Sequence, residues 1–77
     1  MIFVCDKKRH LVCLPYSIEN LHKMAISLNI NPVWFHKTEG LEHYDIPLKR
    51  MDDIMSQCVI VSSKDIVKII KGEITHI

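Results

Sequence analysis

The chain has 77 residues, 48% of them hydrophobic and 25% charged, with a formal net charge of +1. The near-neutral balance excludes a surface built to neutralise many phosphates, so nucleic acid is not an expected partner, and the apolar fraction excludes a disordered tail. A chain this short buries only about 60–65% of its unfolded surface, so help from a disulfide, a metal or a partner chain (such as a homo-oligomer) is expected.

Ile2 to Cys5 form a continuous apolar run ending at Asp6, the pattern of a strand covered on both faces. Leu11 to Leu14 form a second run, stopped by Pro15. Between them lie Asp6-Lys7-Lys8-Arg9-His10, which permit a hairpin although they lack the Gly or Asn that marks one. Ser17 opens the clearest helix, because its hydroxyl can accept from backbone N–H groups of the first turn. Ile18, Leu21, Ala25 and Leu28 recur at three- and four-residue intervals on one stripe of it. Asn29 and Asn31-Pro32 end it, since proline biases the preceding residue away from helical angles.

Val33-Trp34-Phe35 reads as a third strand. A polar loop from His36 to Glu42, turning at Gly40, leads to a short extended piece, His43-Tyr44-Asp45-Ile46. Pro47 suits the first turn of a helix, with Leu48, Met51, Ile54 and Met55 on its apolar side. Cys58 to Val61 form another apolar strand. Ser62 or Ser63 caps a last helix that buries Ile66, Val67, Ile69 and Ile70 and stops at Gly72. The tail from Glu73 to Ile77 carries no pattern. This order predicts a single small α/β domain over residues 1–77, with a mixed or mostly parallel sheet of about four strands and three helices.

Three cysteines, Cys5, Cys13 and Cys58, make an odd number with no CxxC pair, each in an apolar run. They read as small buried hydrophobes in a reducing, cytoplasmic compartment. No leader pattern opens the chain, and no apolar run approaches the roughly 20 residues that span a bilayer, so no membrane is expected.

An apolar strand ending in Asp6 is followed by Ser17, then Asn20-Leu21-His22-Lys23-Met24-Ala25, Asn29-Ile30, Trp34-Phe35-His36, His43-Tyr44-Asp45 and Arg50. In these features the chain resembles domain of unknown function family 4031, small proteins of bacteria and their phages, over roughly residues 2 to 61. The order and spacing of Trp34-Phe35, His43-Tyr44-Asp45 and Arg50 carry the resemblance. Three positions depart from it. Lys7 stands where members usually have a second acid, Cys13-Leu14-Pro15-Tyr16 where they tend to have Trp and His, and His36 where they commonly have Gln. The resemblance implies no activity, because the family carries no settled one.

Asp6 is the first chemical candidate, because ligands in open α/β sheets sit beyond the carboxyl ends of strands. Its structural role would be to cap a turn. His43 and Asp45 share one face if their segment is extended, and imidazole with carboxylate is a usable pair for a divalent metal or for orienting a base. Asp6 or His36 would complete a three-ligand set, and Asp6, His43 and Asp45 form the expected metal set. The alternative is a hydrogen-bond network that ties a loop to the sheet, with Tyr44 half-buried. Arg50 can clamp a phosphate or carboxylate, or pair with Asp53 or Asp45. The run Lys7-Lys8-Arg9-His10 reads as a solvated loop, and core packing accounts for Trp34, Phe35 and Tyr44.

Glycine-rich phosphate loops, HExxH, paired-cysteine zinc signatures and GxSxG are all missing from the chain. Two functions stay open. One is a site for a small phosphate-bearing or nucleotide-like ligand, with a divalent metal as cofactor, formed by Asp6, His36, His43, Tyr44, Asp45 and Arg50. Metal-assisted phosphoester hydrolysis would be its enzymatic extension. The other is a protein-interaction module, such as a phage-encoded modulator of a host protein, without catalysis.

Overall fold

β1 (Ile2–Cys5) and β2 (His10–Leu14) pair as an antiparallel hairpin in the computed structural model, which describes residues 1–77. The turn closes without glycine because Asp6 supplies what the backbone lacks. Its Oδ1 accepts from the N–H groups of Lys8 (2.8 Å) and His10 (3.0 Å), and Arg9 takes the left-handed conformation at φ 73°. Four residues, Asp6 to Arg9, join the strands; a short loop ending in a left-handed residue is a standard hairpin solution, and Asp readily hydrogen-bonds its own turn.

β2 pairs on its other side with β4 (His43–Asp45), antiparallel, with His10 opposite Asp45 and Leu11 opposite Tyr44. β3 (Phe35–His36) pairs with β4, and β5 (Val59–Ile60) runs parallel to β1. The sheet is therefore mixed, in the order β3-β4-β2-β1-β5, with five strands where about four were expected. Only β1 and β5 are parallel, and the other three pairs are antiparallel.

α1 (Ile18–Ser27) packs on β2 and β4, and α3 (Ser63–Ile70) packs on β2. Leu11 to Leu14 are all buried, so side chains on both faces of β2 are covered, as an α/β sheet requires. The buried apolar residues form one continuous cluster. Ser17 caps α1 by accepting from Asn20 N–H (2.9 Å), and Ser62 caps α3 by accepting from Asp65 N–H (3.1 Å). α1 ends on Asn29 at φ 58°, with Ile30 N–H bonded to Ala25 O (2.8 Å) and Asn29 N–H to Ile26 O (3.1 Å), the closure known as a Schellman motif. Gly72 at φ 77° closes α3 in the same way, through Gly72 N–H to Ile69 O and Glu73 N–H to Lys68 O.

Several expectations are corrected. Val33 and Trp34 belong to a 3-10 turn (Pro32–Trp34) capped by Asn31, and the strand begins only at Phe35. Trp34 is exposed rather than packed in the core. The helix expected after Pro47 is a 3-10 turn (Leu48–Arg50) followed by the short α2 (Met51–Met55), of which only Ile54 is buried while Leu48 is exposed. β5 is an outer strand with Val59 and Ile60 exposed, so its apolar run is not covered on both faces. Ile18 and Val67 also face outward, and Met24 completes the buried stripe of α1. No helix is long and apolar enough to cross a membrane.

A Cβ at Gly72 would meet nothing within 4 Å, so replacing this glycine tests torsion alone. Gly72→Ala is expected to lower stability by about 1 kcal/mol through the left-handed φ, read as a fall in the urea midpoint at unchanged slope.

Candidate functional site

Strand alternation divides β4 between two faces. Tyr44 points toward α1, is buried, and its hydroxyl lies 2.7 Å from His22 Nδ1. His43 and Asp45 point the other way, toward α3. Register adds two more side chains to that face, because His10 stands opposite Asp45 and His36 opposite His43. The result is a row of imidazoles and carboxylates: Asp6, His10, His43, Asp45 and His36.

Each contact fixes which atoms carry protons. His10 Nδ1 lies 2.7 Å from Asp6 Oδ2, and an ionised carboxylate can only accept, so His10 donates from Nδ1. His43 Nδ1 lies 2.6 Å from the Leu41 carbonyl oxygen, which also only accepts, so His43 donates from Nδ1 as well. His36 Nε2 donates to Asp45 Oδ2 at 2.6 Å, and its ring stacks on His43 with centroids 5.1 Å apart. In the neutral imidazoles this leaves Nε2 of His10, Nε2 of His43 and Oδ1 of Asp45 as lone-pair atoms. His43 Nε2 and Asp45 Oδ1 face each other at 3.4 Å. Ligating atoms of His10, His43 and Asp45 all lie within 4.8 Å of one another.

Two atoms about 2.1 Å from a common ion at the tetrahedral angle stand about 3.4 Å apart, so His43 and Asp45 already hold a metal bite distance. Every one of the three groups also has an outer partner that orients it: Asp6 for His10, the Leu41 carbonyl for His43, and His36 for Asp45. Such partners fix tautomer and ring direction in metal sites.

Asp6 itself lies outside this trio. Its side chain is buried, and its oxygens accept from Lys8 N–H, His10 N–H, His10 Nδ1 and the Ser63 hydroxyl (2.6 Å). Burial opposes its ionisation, but the hydrogen bonds from Ser63, His10 and the two backbone groups outweigh it and hold the carboxyl below its ordinary value. Arg50 is engaged elsewhere. Its guanidinium donates to the Leu28 and Asn29 carbonyls at the end of α1 and to both oxygens of Asp53. Tyr44 lies on the opposite face, where His22, Tyr44 and the end of α1 line an open depression of about 580 Å³ that gathers no metal-ligand cluster.

His10 is the member that sequence reasoning missed, having been read as part of a solvated basic run. The available signal was the Asp-x3-His spacing across a hairpin turn, which aims the imidazole at the acid. The cysteines offer no nucleophile here. Burial pushes the Cys13 thiol up to about 11, Cys58 is raised by its hydrogen bond with Cys5 and by burial, and Cys5, lowered by that same bond, is fully buried.

The model of a family described as Protein of unknown function (DUF4031) matches residues 6–73. No curated protein and no solved structure matches the chain.

Asp6→Asn keeps an acceptor for the turn and loses the charged one that serves His10 and Ser63, and is expected to cost about 2 kcal/mol at pH 7. Because the folded-state value is depressed, the ionised carboxyl stabilises the fold above its unfolded value of about 3.9, and this is lost as pH falls through the folded value. The gap between wild type and Asp6→Asn in thermal melts should therefore close below about pH 4.

Proposed function

The chain belongs to this family of unknown function, and from its own geometry we propose that it is a divalent-metal-binding domain. His10, His43 and Asp45 supply the ligands, and Asp6 and His36 orient them. One observation carries the reading: a potential ligand atom of each of the three groups lies within 4.8 Å of those of the other two, and each group has a separate hydrogen-bond partner that orients it. Two acceptors 3.4 Å apart need a proton or a cation between them, and His10 within 4.8 Å of both favours the cation. Two imidazoles and one carboxylate suit first-row divalent ions such as Zn²⁺, and three protein ligands leave a position open for a small oxygen-donor ligand. A phosphate oxygen of the phosphate-bearing or nucleotide-like class expected from sequence is one donor that could take it. Polarisation of that ligand, or of a bound water, is the chemistry such an ion supplies, and it would make metal-assisted hydrolysis the enzymatic form of the function.

Exposure of Val59 and Ile60 on the outer strand β5 favours a second reading, in which this edge docks a host protein or a second copy by strand addition, without catalysis. A dimer by light scattering that becomes monomeric in Ile60→Lys would support the second-copy form. A monomer at millimolar concentration would remove that form.

Metal-stripped protein titrated with Zn²⁺ in a calorimeter should bind one equivalent. His43→Ala and Asp45→Asn should each weaken binding at least tenfold while keeping the native circular dichroism spectrum. Zn²⁺ at one hundred times its dissociation constant should raise wild-type stability by about 2.7 kcal/mol, which is many degrees for a domain this small. Absence of saturable binding of Zn²⁺, Mn²⁺, Co²⁺ and Ni²⁺, or binding unchanged in both variants, would overturn the proposal.

A further inference from the structure

Two of the three side chains that would hold the cation also form part of the wall of an adjoining, half-open chamber. His10 and His43 line it together with Leu41, Ser63, Ile66, Val67 and Ile70, and its volume is about 150 Å³. Four of the seven lining residues are aliphatic, three of them from α3, which covers this face of the sheet. The Ser63 hydroxyl is already committed as a donor to Asp6.

No Lys or Arg lines the chamber. The nearby basic residues Lys7 and Lys8 line a different surface, with Asp6, Ile60, Val61, Ser62 and Ser63. Arg50, the other cation expected to hold an anion, is bonded to the end of α1 and to Asp53. A phosphate placed here would meet only the metal, with aliphatic groups against its remaining charged oxygens, and burying such charge without partners is costly. Size points the same way. The volume holds about five water-sized groups, which is too little for a nucleoside.

We propose that the chamber takes a short-chain aliphatic carboxylate of about four to six carbons, its carboxylate on the open position of the metal and its chain against Leu41, Ile66, Val67 and Ile70. The inference rests on the metal-binding reading above and names the ligand class for that same site. The metal would neutralise the single charged head, and the aliphatic wall would discriminate by length. Each methylene buried there should raise affinity about fourfold until the space is filled.

The test uses the full chain loaded with one equivalent of Zn²⁺ and a series of straight-chain carboxylates from acetate to octanoate, with inorganic phosphate as comparison. Affinity measured by calorimetry should climb about fourfold per carbon to butyrate or hexanoate and then level off. Val67→Trp and, independently, Ile70→Trp replace partly exposed wall residues with bulk that narrows the chamber. Both should lower hexanoate affinity at least tenfold and leave acetate and Zn²⁺ affinity unchanged. If Zn²⁺ binds but affinity is flat with chain length, or phosphate binds more tightly than hexanoate, the chamber inference fails and the metal site stands. If Zn²⁺ does not bind, both fail. Hexanoate affinity undiminished in both tryptophan variants would place the chain outside the chamber and also overturn the inference.

Discussion

One buried carboxylate joins the parts of this domain that matter for its chemistry. Asp6 is the only charged residue in the buried interior, and its two oxygens serve different ends of the molecule. Oδ1 folds the turn between β1 and β2 by accepting from Lys8 and His10 N–H. Oδ2 fixes the His10 ring and receives the hydroxyl of Ser63, 57 residues further along at the start of α3. A charge in the low-dielectric interior is tolerable only when its lone pairs are used, and no buried side-chain polar atom in the structure lacks a partner. The same bonds that make Asp6 tolerable therefore set the direction of an imidazole and the docking of a helix.

The second constraint is the two-residue period of β4. Its three residues, His43, Tyr44 and Asp45, split their duties by parity. Tyr44 anchors the strand to α1 through burial and His22 and packs on Phe35 of β3, while His43 and Asp45 face the α3 side. A slip of one residue would exchange the two sets and bury a carboxylate where the tyrosine belongs. Packing on one face thus enforces the geometry of the other.

Much of the fold was legible in the sequence, because the strands and helices carry their patterns locally. The Ser17 cap, the Asn29 and Gly72 stops, and the shared face of His43 and Asp45 all follow from spacing within a few residues. What escaped was set by distance or by local competition. Val33 and Trp34 favour strands, but Asn31 and Pro32 cap and start a 3-10 turn, and that local hydrogen bonding wins. The apolar run at Cys58 to Val61 looks like an interior strand, and nothing within it reveals that no strand pairs beyond. His10 joins Asp45 only through the register of β2 on β4, a property of two segments more than thirty positions apart along the chain. Arg50 had two equally available readings, and which carbonyls it reaches depends on where α1 ends in space.

The layering of the cluster follows from proton count. With Nδ1 of both His10 and His43 already donating, one further proton on His43 Nε2 would relieve its contact with Asp45 and leave His10 Nε2 to solvent. In the proposed metal-bound form a divalent cation would engage all three groups and offset the charges of Asp6 and Asp45 together. Had Asp6 been a direct ligand, it would have had to release the turn, His10 and Ser63, because its oxygens are fully engaged with them. Its place in the outer layer is therefore a consequence of its place in the fold. An acid that closes a hairpin and holds a helix can act on a metal only through the histidine it orients, and the same hairpin register brings that histidine alongside His43 and Asp45.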